Sequence, residues 1–460
     1  MMKLSWRERV RGKRFWVAVL GAAFLAACAG LAPVELASSK TWQTRAVPLS
    51  QGQIKEEGGK RTQVRYPGFR EARSFEQWPT AARGSPEYFA PKKGEMPAGI
   101  KGDATKGHAL IRAGNKGPCT GCHLIPDAKV WPMGNVGPDL RAIGDRGLPD
   151  SHLYQIVYDP RVIFGADSPM APFGASGMWT PEEIVHVVAY LQSLKGDPPG
   201  SSNPPKVTDD KQWNPFTRDV VRLDFGDARD ITSNPALALA DTGAVPLWSK
   251  AGPKGQSCAG CHGAIGAADN ERPLGVIRSM VGVGARYPSW FPRYGRMMSV
   301  EDLLSVHAPE TTGHEMPTQG EVNLAMTVLV KMQSNGMPYQ LDMKNSNVAA
   351  AAKRGEELFN RRVGQRGQAC ANCHTERGGA HKFLGGRFLA NIDKDAMMNH
   401  PYFRTSQGRL WDARIRFQWC MTPLLTNMLP GDAPEYADLE TFLVAKQQGK
   451  PVNVPRSPSH

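Results

Sequence analysis

The apolar positions of this chain fall into a few short runs separated by long polar stretches. Phe15 to Ala27 form an apolar run of 13 residues behind a basic segment (Lys3, Arg7, Arg9, Arg11, Lys13, Arg14). The run is short for a membrane span and has the dimensions of an export signal, so residues 1–28 read as a signal peptide. Residues 29–100 are polar, broken by proline and glycine and poor in periodic apolar positions, which predicts a spacer or wrap-around arm. The clearest helix lies further on. Thr180 is a good N-cap, Pro181 suits the first helical position, and Glu183 completes a capping box. Ile184, Val187, Val188, Leu191 and Leu194 then recur on one helical face. The stretch from Gly196 to Lys206 is too rich in proline to continue that helix and reads as a linker. A second apolar helix runs from Leu324 to Val330, and Gln333 to Pro338 closes it.

Composition sharpens this picture. The chain has 460 residues and is 41% hydrophobic, which suits two to four domains with cores of their own. Gly 48 and Pro 37 together approach a fifth of the chain, which favours short helices joined by long ordered loops. The formal charge is +13, but the first 28 residues carry six bases and one acid, so the exported chain holds about +8. That is a mild bias toward anionic substrates or acidic partners, and not a nucleic-acid signature. The apolar run ends in Leu25-Ala26-Ala27-Cys28, similar to a bacterial lipoprotein cleavage box. Two outcomes follow: a lipid anchor on Cys28, or an ordinary signal peptide cut a little downstream.

Six of the eight cysteines sit in three CxxCH motifs: Cys119-Thr-Gly-Cys122-His123, Cys258-Ala-Gly-Cys261-His262 and Cys370-Ala-Asn-Cys373-His374. Two thiols at this spacing can join both vinyl groups of a haem while the adjacent imidazole reaches the iron. Three such motifs behind an export signal predict three covalently bound haem c groups, with His123, His262 and His374 as axial ligands. No second CxxC or HxxxH stands at zinc-finger spacing from any of them. The second and third motifs start 112 residues apart, with Leu247-Trp248 ahead of one much as Leu358-Phe359 is ahead of the other, an internal repeat.

Met170, in the loop before the Thr180 helix, stands where a cytochrome c sixth ligand belongs; Met133 and Met178 compete with it. Cys420 is a solitary thiol in Arg414-Ile-Arg416-Phe-Gln-Trp-Cys420. It is either a buried inert group or a thiolate favoured by the neighbouring arginines, able to ligate haem iron. His400 and His381 compete with it at the third haem.

From about residue 100 to 455 the chain resembles the sulfur-oxidation cytochromes SoxX and SoxA joined head to tail. The SoxX-like part carries the first CxxCH, Gly134-Asn-Val-Gly-Pro-Asp-Leu140, Tyr158-Asp-Pro-Arg161, Met170-Ala-Pro-Phe-Gly174 and the final helix. The SoxA-like part carries Asn234-Pro235, the two further CxxCH motifs, Ala285-Arg-Tyr-Pro288, Gly336-Met-Pro338, Leu384-Gly-Gly386, and Arg416 four residues before Cys420.

The resemblance implies a mainly α fold of three tandem cytochrome c-type domains with long loops. They would follow the signal peptide and an N-terminal extension (29–100): a SoxX-like mono-haem domain (101–197), a linker (198–215), a first SoxA-like haem domain (216–345) and a second, catalytic one (346–455). It further implies a periplasmic enzyme that joins thiosulfate oxidatively to a cysteine of a SoxYZ-like carrier protein. Cys420 would be distal ligand and sulfur nucleophile, Arg416 its companion, and a soluble cytochrome c the electron acceptor. Two departures stand out. The position aligned with the usual cysteine ligand of the first SoxA haem is His307, with His314 and Met316 as alternatives. The stretch Met421 to Leu429 lacks the arginine expected after the catalytic cysteine. A thiosulfate dehydrogenase that forms tetrathionate, or a tri-haem electron conduit, are the rival readings.

Overall fold

The computed structural model describes residues 53–57, 60–65, 90–113, 117–127, 129–130, 132–196, 234–266, 279–363, 366–424 and 428–456. The export signal, Cys28 and the linker expected at 198–215 lie outside them. Helices are the main regular structure of the described residues, joined by long ordered loops. The strands occur only as four two-stranded antiparallel pairs among the described residues. The first pair, β1 (Gln53–Glu57) and β2 (Lys60–Arg65), lies in the stretch that reads as a spacer. Gly58-Gly59 between two charged runs is the hairpin signal there.

The first core gathers around α1 (Ala104–Arg112), α2 (Asp150–Tyr158), α3 (Arg161–Phe164) and α4 (Pro181–Ser193). The Thr180 capping box forms as the sequence predicts: Glu183 N–H donates to Thr180 Oγ1 at 3.2 Å and Thr180 N–H donates to Glu183 Oε2 at 2.9 Å. Ile184, Val187, Val188 and Leu191 of α4 pack against Ile111 of α1 and Leu153 and Tyr154 of α2. α1 and α4 cross closely enough that a Cβ on Gly107 would stand 2.1 Å from the His186 carbonyl oxygen, so glycine is required. Residues 92–100 wrap this core. Lys92 N–H donates to Asp159 and Gly94 N–H to Gln155, while Met96 and Ile100 add apolar cover.

The second core is built from α5 (Pro235–Leu239), α6 (Val245–Ser249), α7 (Cys258–His262), the pair β3 (Ser289–Phe291) and β4 (Arg296–Met298), α8 (Val300–Thr311) and α9 (Glu321–Lys331). α9 is buried on every side from Asn323 to Lys331, which is why its sequence from Leu324 to Val330 is apolar at every position but Thr327. The third region holds α10 (Ser346–Asn360), α11 (Ala371–His374), the hairpins β5 (Phe383–Leu384) with β6 (Arg387–Phe388) and β7 (Tyr402–Arg404) with β8 (Arg409–Trp411), α12 (Ala413–Leu424) and α13 (Pro434–Ala445). α10 and α13 cross as α1 and α4 do: a Cβ on Gly355 would meet the Asp438 carbonyl oxygen at 2.1 Å.

The second and third regions share one apolar cluster, in which Met297 and Tyr339 pack with Phe359, Phe442 and Leu443. They also share a buried ion network. Arg414 of α12, 1% exposed at its side chain, donates to Asp302 Oδ1 and Oδ2 of α8 at 2.7 and 2.6 Å and to Glu440 of α13 at 3.0 Å. Among the described residues no helix is long and apolar enough to cross a membrane.

Candidate functional site

Each CxxCH makes the same local turn. Cys119–Gly121 form one 3-10 turn, Cys258–His262 one α-turn, and Ala371–His374 another. The histidine N–H closes on the first cysteine carbonyl at 2.9 Å in the first motif and 3.0 Å in the third. Two cysteines and a histidine within one such turn have the spacing that a covalently held, ligated haem needs.

The imidazoles are prepared as ligands. His123 Nδ1 stands 2.8 Å from the Pro138 carbonyl oxygen, and His374 Nδ1 stands 2.8 Å from that of Ala390. Such a bond places the proton on Nδ1 and leaves Nε2 with a lone pair. Burial holds His123 below the usual imidazole range and pushes His374 down to about 4, where nearby Arg416 adds to the effect. Both rings are therefore neutral, as metal ligation requires.

At the second motif, His262 and His307 stand with ring centroids 6.1 Å apart, their planes inclined at 66°. Two imidazoles on opposite sides of one metal, at about 2 Å per metal–nitrogen bond, place their centroids roughly 6 Å apart. Burial, with His262 adding, lowers the pKa of His307. α8, whose N-terminus Ser299 and Asp302 cap as a box, carries His307 to this place. The alternatives are engaged elsewhere: His314 Nε2 lies 3.1 Å from the Lys250 carbonyl oxygen, and Met316 is fully buried in the second core.

Met170 packs half-buried at the edge of the first core, beside the cluster that also holds Cys119. Of its competitors, Met133 turns its sulfur to the Ile125 N–H at 3.4 Å, and Met178 is buried.

The third motif has the most elaborate surroundings. α12 presents Arg416 and Cys420 one turn apart on the same face, since positions i and i+4 are neighbours on a helix. Burial pushes the Cys370 thiol up to about 12, and Cys420 beside it adds to the shift. Cys373 also stands at about 12, raised by burial, then by Cys122 and Cys420. Cys420 thus lies within electrostatic reach of both thiols of the third motif.

Around it, Trp419 carries three guanidinium groups: Arg387 at 4.5 Å, Arg416 at 4.8 Å and Arg404 at 5.9 Å from the ring centroid. Burial lowers the pKa of Arg387, Arg416 lowers it further, and Cys420 opposes both. Among the described residues neither Arg387 nor Arg416 has an ion pair, and Arg416 Nη1 is buried without a hydrogen-bond partner. Three crowded cations on one indole form a place that favours an anion.

The sequence reading takes Arg414 and Arg416 together as the arginines that favour a Cys420 thiolate. The structure corrects that: the two point about 200° apart on α12, and Arg414 faces inward to its carboxylates. Arg387 and Trp419, which the sequence alone does not assign to the site, come together through the β5–β6 hairpin, a non-local contact with no local pattern. His381 is exposed and bound to Asp395 at 2.9 Å, and Lys382 Nζ donates to the Val136 carbonyl at 2.9 Å. His400 is buried against Tyr402, and among the described residues neither of its ring nitrogens has a hydrogen-bond partner.

The first and third motifs lie against each other. Asn135 and Phe383 exchange bonds of 3.0 and 2.7 Å, and Gly385 N–H donates to the Gly121 carbonyl at 2.8 Å. Asn372 Nδ2 donates to the Asp167 and Ser168 carbonyls, while Arg362 and Gln368 donate to those of Ala166 and Pro169. Among the described residues no cluster of three or more His, Cys, Asp or Glu is arranged to hold a metal ion by itself.

Parts of the chain are similar to known proteins. Residues 243–339 match the SoxA/TsdA cytochrome c domain family. The chain is 28% identical over 228 residues to the L-cysteine S-thiosulfotransferase subunit SoxA of Pseudaminobacter salicylatoxidans, covering 49% of this chain and 74% of that one. It is 27% identical over 236 residues to the same subunit from Paracoccus pantotrophus, covering 51% and 72%. The crystal structure of SoxXA from P. pantotrophus superposes with a TM-score of 0.44 at 25% identity, covering 53% of this chain and 83% of that one. A cytochrome c domain carries covalently bound haem c, and the residues of all three motifs fit that group. Over residues 243–339 the chain thus matches the SoxA/TsdA cytochrome c domain family, and over about half its length it is similar to SoxA.

Proposed function

We propose that this protein is a three-haem, periplasmic SoxXA-type enzyme with its SoxX-like and SoxA-like parts in one chain. It joins thiosulfate to a cysteine of a SoxYZ-like carrier protein. The carrier thiol and thiosulfate become a cysteine S-thiosulfonate; one sulfur–sulfur bond forms, one proton and two electrons leave, and oxidised soluble cytochrome c takes the electrons. The observation that carries this reading is Cys420 beside the third CxxCH, one helical turn from Arg416 and next to the Trp419 arginine cluster.

Three tandem cytochrome c-type domains fit the repeated CxxCH turns and the repeated glycine-mediated helix crossing. Cys119 and Cys122, Cys258 and Cys261, and Cys370 and Cys373 would each hold one haem. His123 with Met170, His262 with His307, and His374 with Cys420 would hold the three irons. Bound haem would accept electrons singly, and the contact between the first and third motifs gives them a short way from the sulfur site toward the acceptor.

The protein residues have separate tasks. Arg416, Arg387 and Arg404 draw and orient the thiosulfate dianion. Arg387 arrives from the β5–β6 hairpin and supplies the guanidinium that the stretch after Cys420 lacks. Cys420 is the soft nucleophile through which sulfur is passed to the carrier. Arg414 holds the helix that carries both. If Cys28 is lipidated, the enzyme is tethered to a membrane surface.

The test is turnover of thiosulfate with oxidised cytochrome c, with and without a SoxYZ-like carrier. Carrier-dependent reduction with a mass gain of one thiosulfate on the carrier cysteine is expected. Tetrathionate formed at full rate without the carrier would identify a thiosulfate dehydrogenase instead. Electron transfer without any sulfur product would leave only a conduit.

A further inference from the structure

Arg366 stands out in the contact between the first and third CxxCH motifs. Among the described residues it has no ion pair and no hydrogen bond, and its Nε is buried without a partner. Its neighbours are haem-attachment segments on both sides. Nε lies 3.3 Å from where a Cβ on Gly117 would stand, just ahead of Cys119. The adjoining Gly367 packs against Pro172, two residues beyond Met170, and four residues beyond Arg366 is Cys370. The guanidinium lies within electrostatic reach of Cys119, Cys122 and Cys373 at once. A half-buried guanidinium with a sealed Nε is costly without a counter-charge, and among the described residues no carboxylate provides one. The surrounding hydrogen bonds (Asn372 to Asp167 and Ser168, Gln368 to Pro169, Arg362 to Ala166) hold the loop in place without using Arg366.

We infer that Arg366 is a positioning charge that raises the reduction potentials of the first and third haem sites together. Its fixed positive charge stabilises an electron arriving at either side of the contact, and so favours passage between them over escape to other acceptors. The second motif is not among the groups that Arg366 reaches, so its potential is untouched. This inference rests on haem attachment at the first and third motifs, as proposed above; it does not depend on the sulfur chemistry.

The test uses the full-length, haem-loaded protein with Arg366→Gln, Arg366→Met and Arg366→Lys. Haem stoichiometry is measured first by intact mass, and the three midpoint potentials are then resolved by redox titration with optical and EPR detection. Two potentials, those of the first and third sites, are expected to fall in both neutral variants, and Arg366→Lys is expected to restore most of the loss. Unchanged potentials, an equal shift at all three sites, or the same shift in the lysine variant would overturn the inference. Loss of folding or haem in both neutral variants would also overturn it, because the side chain would then be structural. Fewer than three haems on the unaltered protein would instead remove the haem assignment beneath it.

Discussion

Replacing Arg414 by methionine should unfold the protein far more readily than the same change at Arg416, two residues away. Arg414 donates to both oxygens of Asp302, to Glu440 at 3.0 Å and to the Gly431 carbonyl at 2.8 Å, all from a side chain that is 1% exposed. Methionine keeps much of the stem's packing but strands two buried carboxylates. Breaking a buried ion pair on one side costs about 3–5 kcal/mol. At about 2–4 °C per kcal/mol for a unit of this size, Tm should fall by roughly 10 °C. The damage should also reach the second haem site, because Asp302 caps the helix that carries His307. Arg416 has no ion pair to lose, only its approach to Trp419, so Arg416→Met should cost about 1 kcal/mol or less. Burial already raises the pKa of Glu440 against the pull of Arg414, so in Arg414→Met this carboxyl should take up a proton and be tolerated better as pH falls. Calorimetry of both holo variants between pH 5 and 8 makes the comparison. Equal destabilisation by the two substitutions, or a larger loss from Arg416→Met, would refute the assignment of one arginine to the core and the other to the site.

Three further expectations can be checked separately. His307→Ala should convert the haem on Cys258 and Cys261 from a six-coordinate low-spin to a high-spin spectrum while all three haems stay attached; an unchanged spectrum would transfer the ligand role to another group. Arg387→Gln should raise KM for thiosulfate about tenfold, corresponding to roughly 1.4 kcal/mol of lost anion binding, with Tm nearly unaltered; an unchanged KM would remove Arg387 from the anion site. Asp432 is pushed up to about 6 by burial, against an unfolded value of about 3.9. Its neutral form therefore favours the fold fully below about pH 4, and that stability is lost as pH rises through 6. Asp432→Asn should flatten this decline, by up to roughly 3 kcal/mol between pH 4 and 8, and a slope identical to the parent's would contradict the burial effect.

Much of the site can be read along the chain because it is local. A CxxCH turn is made by five consecutive residues, and the Thr180–Glu183 capping box by four, so spacing alone predicts both. Cys420 and Arg416 are also within reach of sequence, being one helical turn apart. The division of labour between Arg414 and Arg416 is not. It depends on the phase of α12, whose apolar pattern is weak because one face meets a buried ion network and the other an arginine cluster. Arg387 and Trp419 meet across more than thirty residues through a hairpin, and Arg366 touches segments some 250 residues earlier in the chain. Such contacts are set by how the regions pack, and no local propensity announces them.

The most direct measurement is single-turnover conjugation by Cys420→Ala, with haem content verified by intact mass. The variant should retain three haems and redox-active first and second centres, yet add no thiosulfate to the carrier cysteine. Carrier conjugation at the parent's rate in that variant would contradict the assignment of sulfur chemistry to Cys420.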